Sequence, residues 1–249
     1  MVIFSYHFYI NCYPSFFWYI IHIHQGVPMS QFIDNVKSKS KEILIINFFI
    51  FVPMWTVFLL NNYVFGNYFN NFGIHPRDFS FLDIILICTS WLLHGNYGHI
   101  IGNTTVLFPL LFMVCLLEKS PIKPISFLII LSGFFTWLLG MSNSVHIGAS
   151  GLVFALFGYI IASLLIGKNY LYLIPVVLVG YFYSQSIFYG LVPKEEISFS
   201  AHFGGFIGGI IIGAIIHKKE EQQTSYIYKK SLKEKWNGFL WDMKYKLKR

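Results

Sequence analysis

The sequence predicts an all-α membrane protein, a bundle of about six spanning helices, on three observations. Apolar residues make up 55% of the 249-residue chain and charged residues only 12%, where soluble domains run near a quarter charged. Aromatic residues reach 20%, with 27 Phe and 16 Tyr, more ring surface than a water-soluble fold can readily hide. The apolar residues also gather into separate runs close to the roughly 20 residues that a helix needs to cross a bilayer.

Residues 1–28 are apolar but interrupted by His7, Asn11, Pro14, His22 and His24. No basic start is followed by a small-residue cleavage site, so a secretory signal fits poorly. They read as an upstream extension or a disordered segment, with Met29 as a natural start, and residues 1–42 form an N-terminal extension, largely cytoplasmic or disordered. Candidate spans follow at 43–63, 99–117, 123–140, 150–167, 170–187 and 200–217, which makes 43–217 the membrane domain. The intervening stretch 64–98 carries Gly66, Asn70, Asn71, Gly73 and Pro76 among many aromatics. It is too polar to span and too aromatic for a floppy linker, and an interfacial, partly buried loop is expected.

The tail 218–249 holds ten of the 18 Lys and Arg residues, beside Trp236, Phe239, Leu240 and Trp241. It reads as a basic amphipathic cytoplasmic tail that either lies on anionic lipid or is solvated. The net charge of +7 therefore points to a membrane surface and away from nucleic acid. Lys/Arg counts in the short loops set the orientation. Lys37, Lys39, Lys41, Lys119, Lys123, Lys168 and the tail fall on one side, and Arg77 and Lys194 on the other. Both termini are thus expected in the cytoplasm, across a bacterial inner membrane. Cys12, Cys88 and Cys115 show no CxxC spacing and read as small hydrophobes.

Polar groups inside apolar spans are costly and mark function. They occur in three clusters: His94-Gly-Asn-Tyr-Gly-His99-Ile-Ile-Gly-Asn103, Gly148-Ala-Ser150-Gly151 and Ala201-His202-Phe-Gly204-Gly205. The second, fourth and sixth spans all run from outside to inside, and each cluster opens its span, so all three are expected at similar depth near the outer surface. Ser150 opens a helix, where first-turn amides lack intrahelical acceptors and the positive end of the dipole favours an oxyanion. Taken alone, Ser150 reads first as an N-cap. His202 changes this, because a serine hydroxyl becomes a useful nucleophile when a neighbouring base takes its proton. Gly204, Gly205, Gly208, Gly209 and Gly213 on the His202 helix offer a face for close approach, and Gly151, Ala155, Gly158 and Ala162 offer a partner face.

His99 and Asn103 share one helix face and, with the Ser150 backbone amide, are candidates for an oxyanion hole. His94 and His146 read as structural. Asp83, Glu118, Glu195 and Glu196 are all poorly placed to orient His202, so a dyad is expected, not a triad. The histidines lack companion ligands at metal spacing, and the chemistry calls for no metal and no cofactor.

HGNYGHIIGN, GASGLVFALFGY and AHFGGFIGG, in that order, resemble the rhomboid family of intramembrane serine proteases over roughly residues 40–217. The resemblance implies a six-helix bundle with a wet active site open to the outer side. It implies Ser150 as nucleophile, His202 as base, and His99, Asn103 and the Ser150 amide as oxyanion stabilisers. Gly148 and Gly151 would support the nucleophile, and Phe154 would stack on the catalytic histidine. Substrates would be transmembrane proteins cut in or near an unstable helix, usually after a small residue. FGIHPRDFS resembles the first outer loop of one bacterial branch, but the Trp-Arg pair that some members carry there is missing. Two other classes fit less well. A non-catalytic rhomboid-like binder or chaperone usually lacks the Ser or His. A small transporter would show paired internal charges or an inverted repeat.

Overall fold

The computed structural model describes residues 29–78, 80–142, 144–190, 199 and 201–219. The expectations for residues 1–28, for Glu195 and Glu196, and for nearly all of the basic tail lie outside them. Among the described residues the helices are α1 (Met29–Tyr63), α2 (Phe81–Thr89), α3 (Tyr97–Leu117), α4 (Ile122–Leu139), α5 (Ser150–Leu165), α6 (Leu173–Gly190) and α7 (Ala201–Lys219). Single 3-10 turns occupy Tyr68–Phe72, Ser90–Leu92 and Tyr170–Tyr172. The fold is an all-α membrane bundle.

Two boundaries differ from the sequence expectation. α1 begins at Met29, well ahead of the apolar run at 43, because the polar stretch before it is rich in good helix formers that hydropathy does not score. Within the expected loop 64–98, α2 forms a short helix. Its apolar run is too short to span, but Ser80 and Asp83 close a capping box: Ser80 Oγ accepts from the Asp83 N–H, and Asp83 accepts from the Ser80 N–H at 2.8 Å.

Four helices are long and apolar enough to cross a bilayer: Ile33–Tyr63, Tyr97–Leu117, Ile122–Leu139 and Ala201–Lys219. α1 shows how such a helix divides its surface. Ile43, Ile46, Ile50, Met54 and Phe58 are buried at helical spacing, while Leu44, Phe48, Phe49 and Val52 point outward, as expected for a lipid-facing side. α5 is shorter and is buried along nearly its whole length. It is the central helix, enclosed by α3, α4, α6 and α7, and it starts on buried Ala149 inside the protein.

Lipid tails are as apolar as Leu, so close packing and interhelical hydrogen bonds must hold such a bundle together. Trp55 Nε1 donates to Thr104 Oγ1 at 3.1 Å, joining α1 to α3. Tyr172 donates to Glu118 Oε1 at 2.6 Å, and His217 Nε2 lies 2.8 Å from Ser163 Oγ. Lys39 Nζ reaches the carbonyls of Cys115 and Glu118 at the end of α3, where a cation also answers the helix dipole.

A close glycine seam joins α5 to α7. A methyl group on Gly209 would stand 2.0 Å from the Ala155 carbonyl oxygen, and one on Gly205 would stand 2.3 Å from that of Gly151. Gly158 of α5 answers from the other side, where a methyl would meet the Phe206 carbonyl oxygen at 2.1 Å. The glycines of α7 therefore split into two faces. Gly205, Gly209 and Gly213 meet α5, while Gly204 and Gly208 pack on Phe135 and Leu131 of α4.

Candidate active site

Ser150 is the first residue of α5. Ala149 takes the cap position, and no side chain caps the helix. The N-cap alternative thus does not hold: Ser150 is not the cap residue, and its hydroxyl lies 2.8 Å from His202 Nε2. The first amide of the helix with an intrahelical acceptor is that of Val153, bonded to the Ala149 carbonyl at 3.0 Å. The amides ahead of it are those a helix start leaves open.

His202 is supplied by the second residue of α7, and the glycine seam brings it to Ser150. Its ring stacks on Phe154, one turn after Ser150, with centroids 4.4 Å apart and planes 20° from parallel. Both residues are buried. Of the four acids considered for orienting His202, the two among the described residues are engaged elsewhere. Asp83 serves the α2 capping box, and Glu118 holds Tyr172.

The loop 141–149 sets the approach to Ser150. Ile74 and His146 exchange two backbone hydrogen bonds, each 2.9 Å, in an isolated antiparallel bridge. Gly148 donates to the Ser90 carbonyl at 3.1 Å and adopts φ 111°, a region that side-chain-bearing residues rarely enter. The space beside it is also closed. A methyl group on Gly148 would sit 2.5 Å from His99 Nε2 and 3.5 Å from Asn103 Nδ2. His99 and Asn103 therefore flank the residue that leads into Ser150, and Gly151 follows it against α7.

His94 was expected to be structural in the loop, and it has more specific contacts than that. It is fully buried. Its Nε2 lies 2.9 Å from Asn103 Nδ2 and 3.4 Å from the Ala149 amide nitrogen. Its ring meets His99 edge to face at 4.9 Å. His146 has its Nε2 2.8 Å from Ser144 Oγ. A small cleft beside Ser150 is lined by Ser90, Ser132, Thr136, His146 and Gly148 among others. Ser132 and Thr136 escaped the sequence reading, although two hydroxyls one turn apart inside an apolar span were a visible signal. Among the described residues no three His, Cys, Asp or Glu side chains converge as metal ligands.

A sequence model of the rhomboid domain matches residues 83–219, which is more than half of the chain. The chain belongs to the rhomboid family. Similar sequences include uncharacterized proteins of Mycobacterium tuberculosis and Mycobacterium bovis, each 30% identical over 142 residues, 53% of this chain and 58% of theirs. One from Mycobacterium leprae is 26% identical over 142 residues, 53% of this chain and 55% of its own. This rhomboid chain thus spans less than two thirds of those relatives.

Burial, and secondarily the charge of His99, lowers the His94 pKa from 6.5 to about 3. Burial, helped by His75, also lowers that of His146. A depressed histidine pKa means that the unfolded chain binds more protons between the two values. Stability then rises with pH across that window and is complete above about 6.5. The thermal transition of this rhomboid in detergent is accordingly expected to fall as the pH drops from about 6.5 toward 4. A flat profile would show that neither ring is held neutral by the fold.

Proposed function

We propose that this chain is an intramembrane serine endopeptidase that cleaves transmembrane proteins near the outer face of the membrane through a Ser150–His202 dyad. The observation that carries this reading is the 2.8 Å separation of Ser150 Oγ and His202 Nε2 at the open start of α5.

In the proposed reaction, His202 Nε2 takes the hydroxyl proton as Ser150 Oγ attacks the scissile carbonyl carbon. The oxygen of the resulting tetrahedral intermediate becomes an anion, which the Ser150 amide, His99 and Asn103 would stabilise. The imidazolium of His202 then returns its proton to the leaving amine, and the C–N bond breaks to leave an acyl-enzyme. Water arriving through the hydroxyl-lined cleft gives a proton to His202 and attacks the ester carbonyl; the bond to Ser150 Oγ then breaks, His202 returns the proton to that oxygen, and the new carboxyl terminus leaves. Phe154 holds the imidazole plane throughout and shields one of its faces. A helix satisfies its own carbonyls, so substrates whose span is weakened by Gly or Pro should be cut preferentially. The Lys/Arg distribution supports placing both termini in the cytoplasm, and the mycobacterial relatives support a bacterial inner membrane.

The decisive test is a fluorophosphonate probe together with cleavage of single-span substrates in liposomes. The probe should label Ser150, and the wild type should cut. If the wild type repeatedly fails at both, a non-catalytic binder of membrane proteins replaces this reading. Within the reading, Asn103→Ala should keep weak activity, with kcat down about 10²–10³-fold and KM nearly unchanged, because one oxyanion donor is lost while the nucleophile remains.

A further inference from the structure

His94 lies in the loop before α3 and is among the most buried polar residues of the described protein. Its two ring nitrogens have distinct partners. Nδ1 lies 3.3 Å from the Leu92 carbonyl oxygen. A carbonyl can only accept, so the ring proton sits on Nδ1. Nε2 is then a lone pair, and two donors converge on it, Asn103 Nδ2 at 2.9 Å and the Ala149 N–H at 3.4 Å. The Asn103 amide is thereby fixed with its nitrogen toward His94. One hydrogen is spent on the ring, and the other remains for the space beside Gly148, which lies within about a methyl contact of Nδ2.

We propose that His94 is a positioning residue of the active site, whose Nε2 lone pair holds the Asn103 amide and the Ala149 N–H and so sets the oxyanion donor in register with the start of the nucleophile helix. This rests on the protease reading. The arrangement ties three elements to one atom: the loop before α3, α3 itself at Asn103, and the end of the 141–149 loop at Ala149. A protonated ring would have no lone pair to offer, and the low pKa of His94 keeps it an acceptor throughout the neutral range. Burial against His99 leaves the ring little freedom to turn.

The test compares His94→Leu, which fills the space without an acceptor, with His94→Gln, whose carbonyl oxygen can accept both hydrogen bonds. Each is made alone and in an Asn103→Ala background. kcat, KM and the thermal transition are measured beside the wild type and Ser150→Ala. His94→Leu should lower kcat about 10²-fold with KM little changed, up to the value of losing one oxyanion donor. His94→Gln should recover to within about 10-fold of wild type. In the Asn103→Ala background the further loss from either variant should shrink to less than about 3-fold, since the donor being positioned is already gone. Losses that multiply in that background, or a His94→Gln variant no better than His94→Leu, would overturn the proposal. Should His94→Leu not fold, the His94→Gln pair decides alone by the same additivity criterion. A wild type that cleaves no better than Ser150→Ala would instead remove the protease reading, and the role of His94 with it.

Discussion

Ser150→Ala is expected to lower the rate of substrate cleavage by at least about 10⁴-fold while leaving the thermal transition where it was. The size follows from the chemistry. Without the hydroxyl there is no acyl-enzyme, and only substrate binding and the oxyanion donors remain to favour reaction with water. The unchanged stability follows from the geometry. Ser150 Oγ makes its hydrogen bond to His202 and caps nothing, and Ala is at least as good a helix former at that position. His202→Ala should fall to a comparable rate, since the hydroxyl is a poor nucleophile without the base. Because the two act as one unit, Ser150→Ala/His202→Ala should be scarcely slower than either single variant. Liposome assays with a single-span substrate would measure all three. Cleavage by Ser150→Ala within about 10-fold of wild type would remove the dyad from the mechanism.

Gly209→Ala is expected to cost at least about 10²-fold in kcat and to lower the thermal transition, although the residue lies two turns from His202. A Cβ at Gly209 would stand 2.0 Å from the Ala155 carbonyl oxygen and 2.7 Å from the Tyr159 nitrogen. Both are helix backbone and cannot swing aside. α5 and α7 would have to separate by about 1 Å or more, and displacements of that size at a reacting pair cost about 10²-fold. Overpacking of this kind also destabilises by roughly 1–3 kcal/mol. Gly180→Ala is the control, because a methyl there meets nothing within 4 Å. Equal activity in the two variants would mean that the seam does not position His202.

The parts of this architecture that were legible in the sequence share one cause. Polar residues inside apolar runs are rare enough to be noticed, so the three motif clusters stood out, and hydropathy marked the helices from α3 to α7 to within a few residues. The polar start of α1 was not legible, since residues 29–42 are helical without being apolar. α2 was missed because a run as short as Phe81–Cys88 satisfies no spanning criterion, although Ser80 and Asp83 carried the capping signal. His94 was underestimated for a different reason. Its partners, Asn103 and Ala149, are remote in sequence, and only folding shows that one ring nitrogen serves both. The division of the α7 glycines between two neighbours was hidden in the same way. Gly204 and Gly205 are adjacent in the sequence and meet different helices.

The bridge between Ile74 and His146 has a consequence for how this protein can vary. Trp137 Nε1 also donates to the Asp78 carbonyl, and the Arg77 N–H to that of Trp137, so residues 74–78 and 137–146 are stitched together along their lengths. The setting of Ser150 is thus inherited from a segment far upstream. Length changes between α1 and α2 can be absorbed near the aromatic turn Tyr68–Phe72, but not within 74–78. A chimera that exchanged one strip without the other would join two halves of a fastening cut to different patterns.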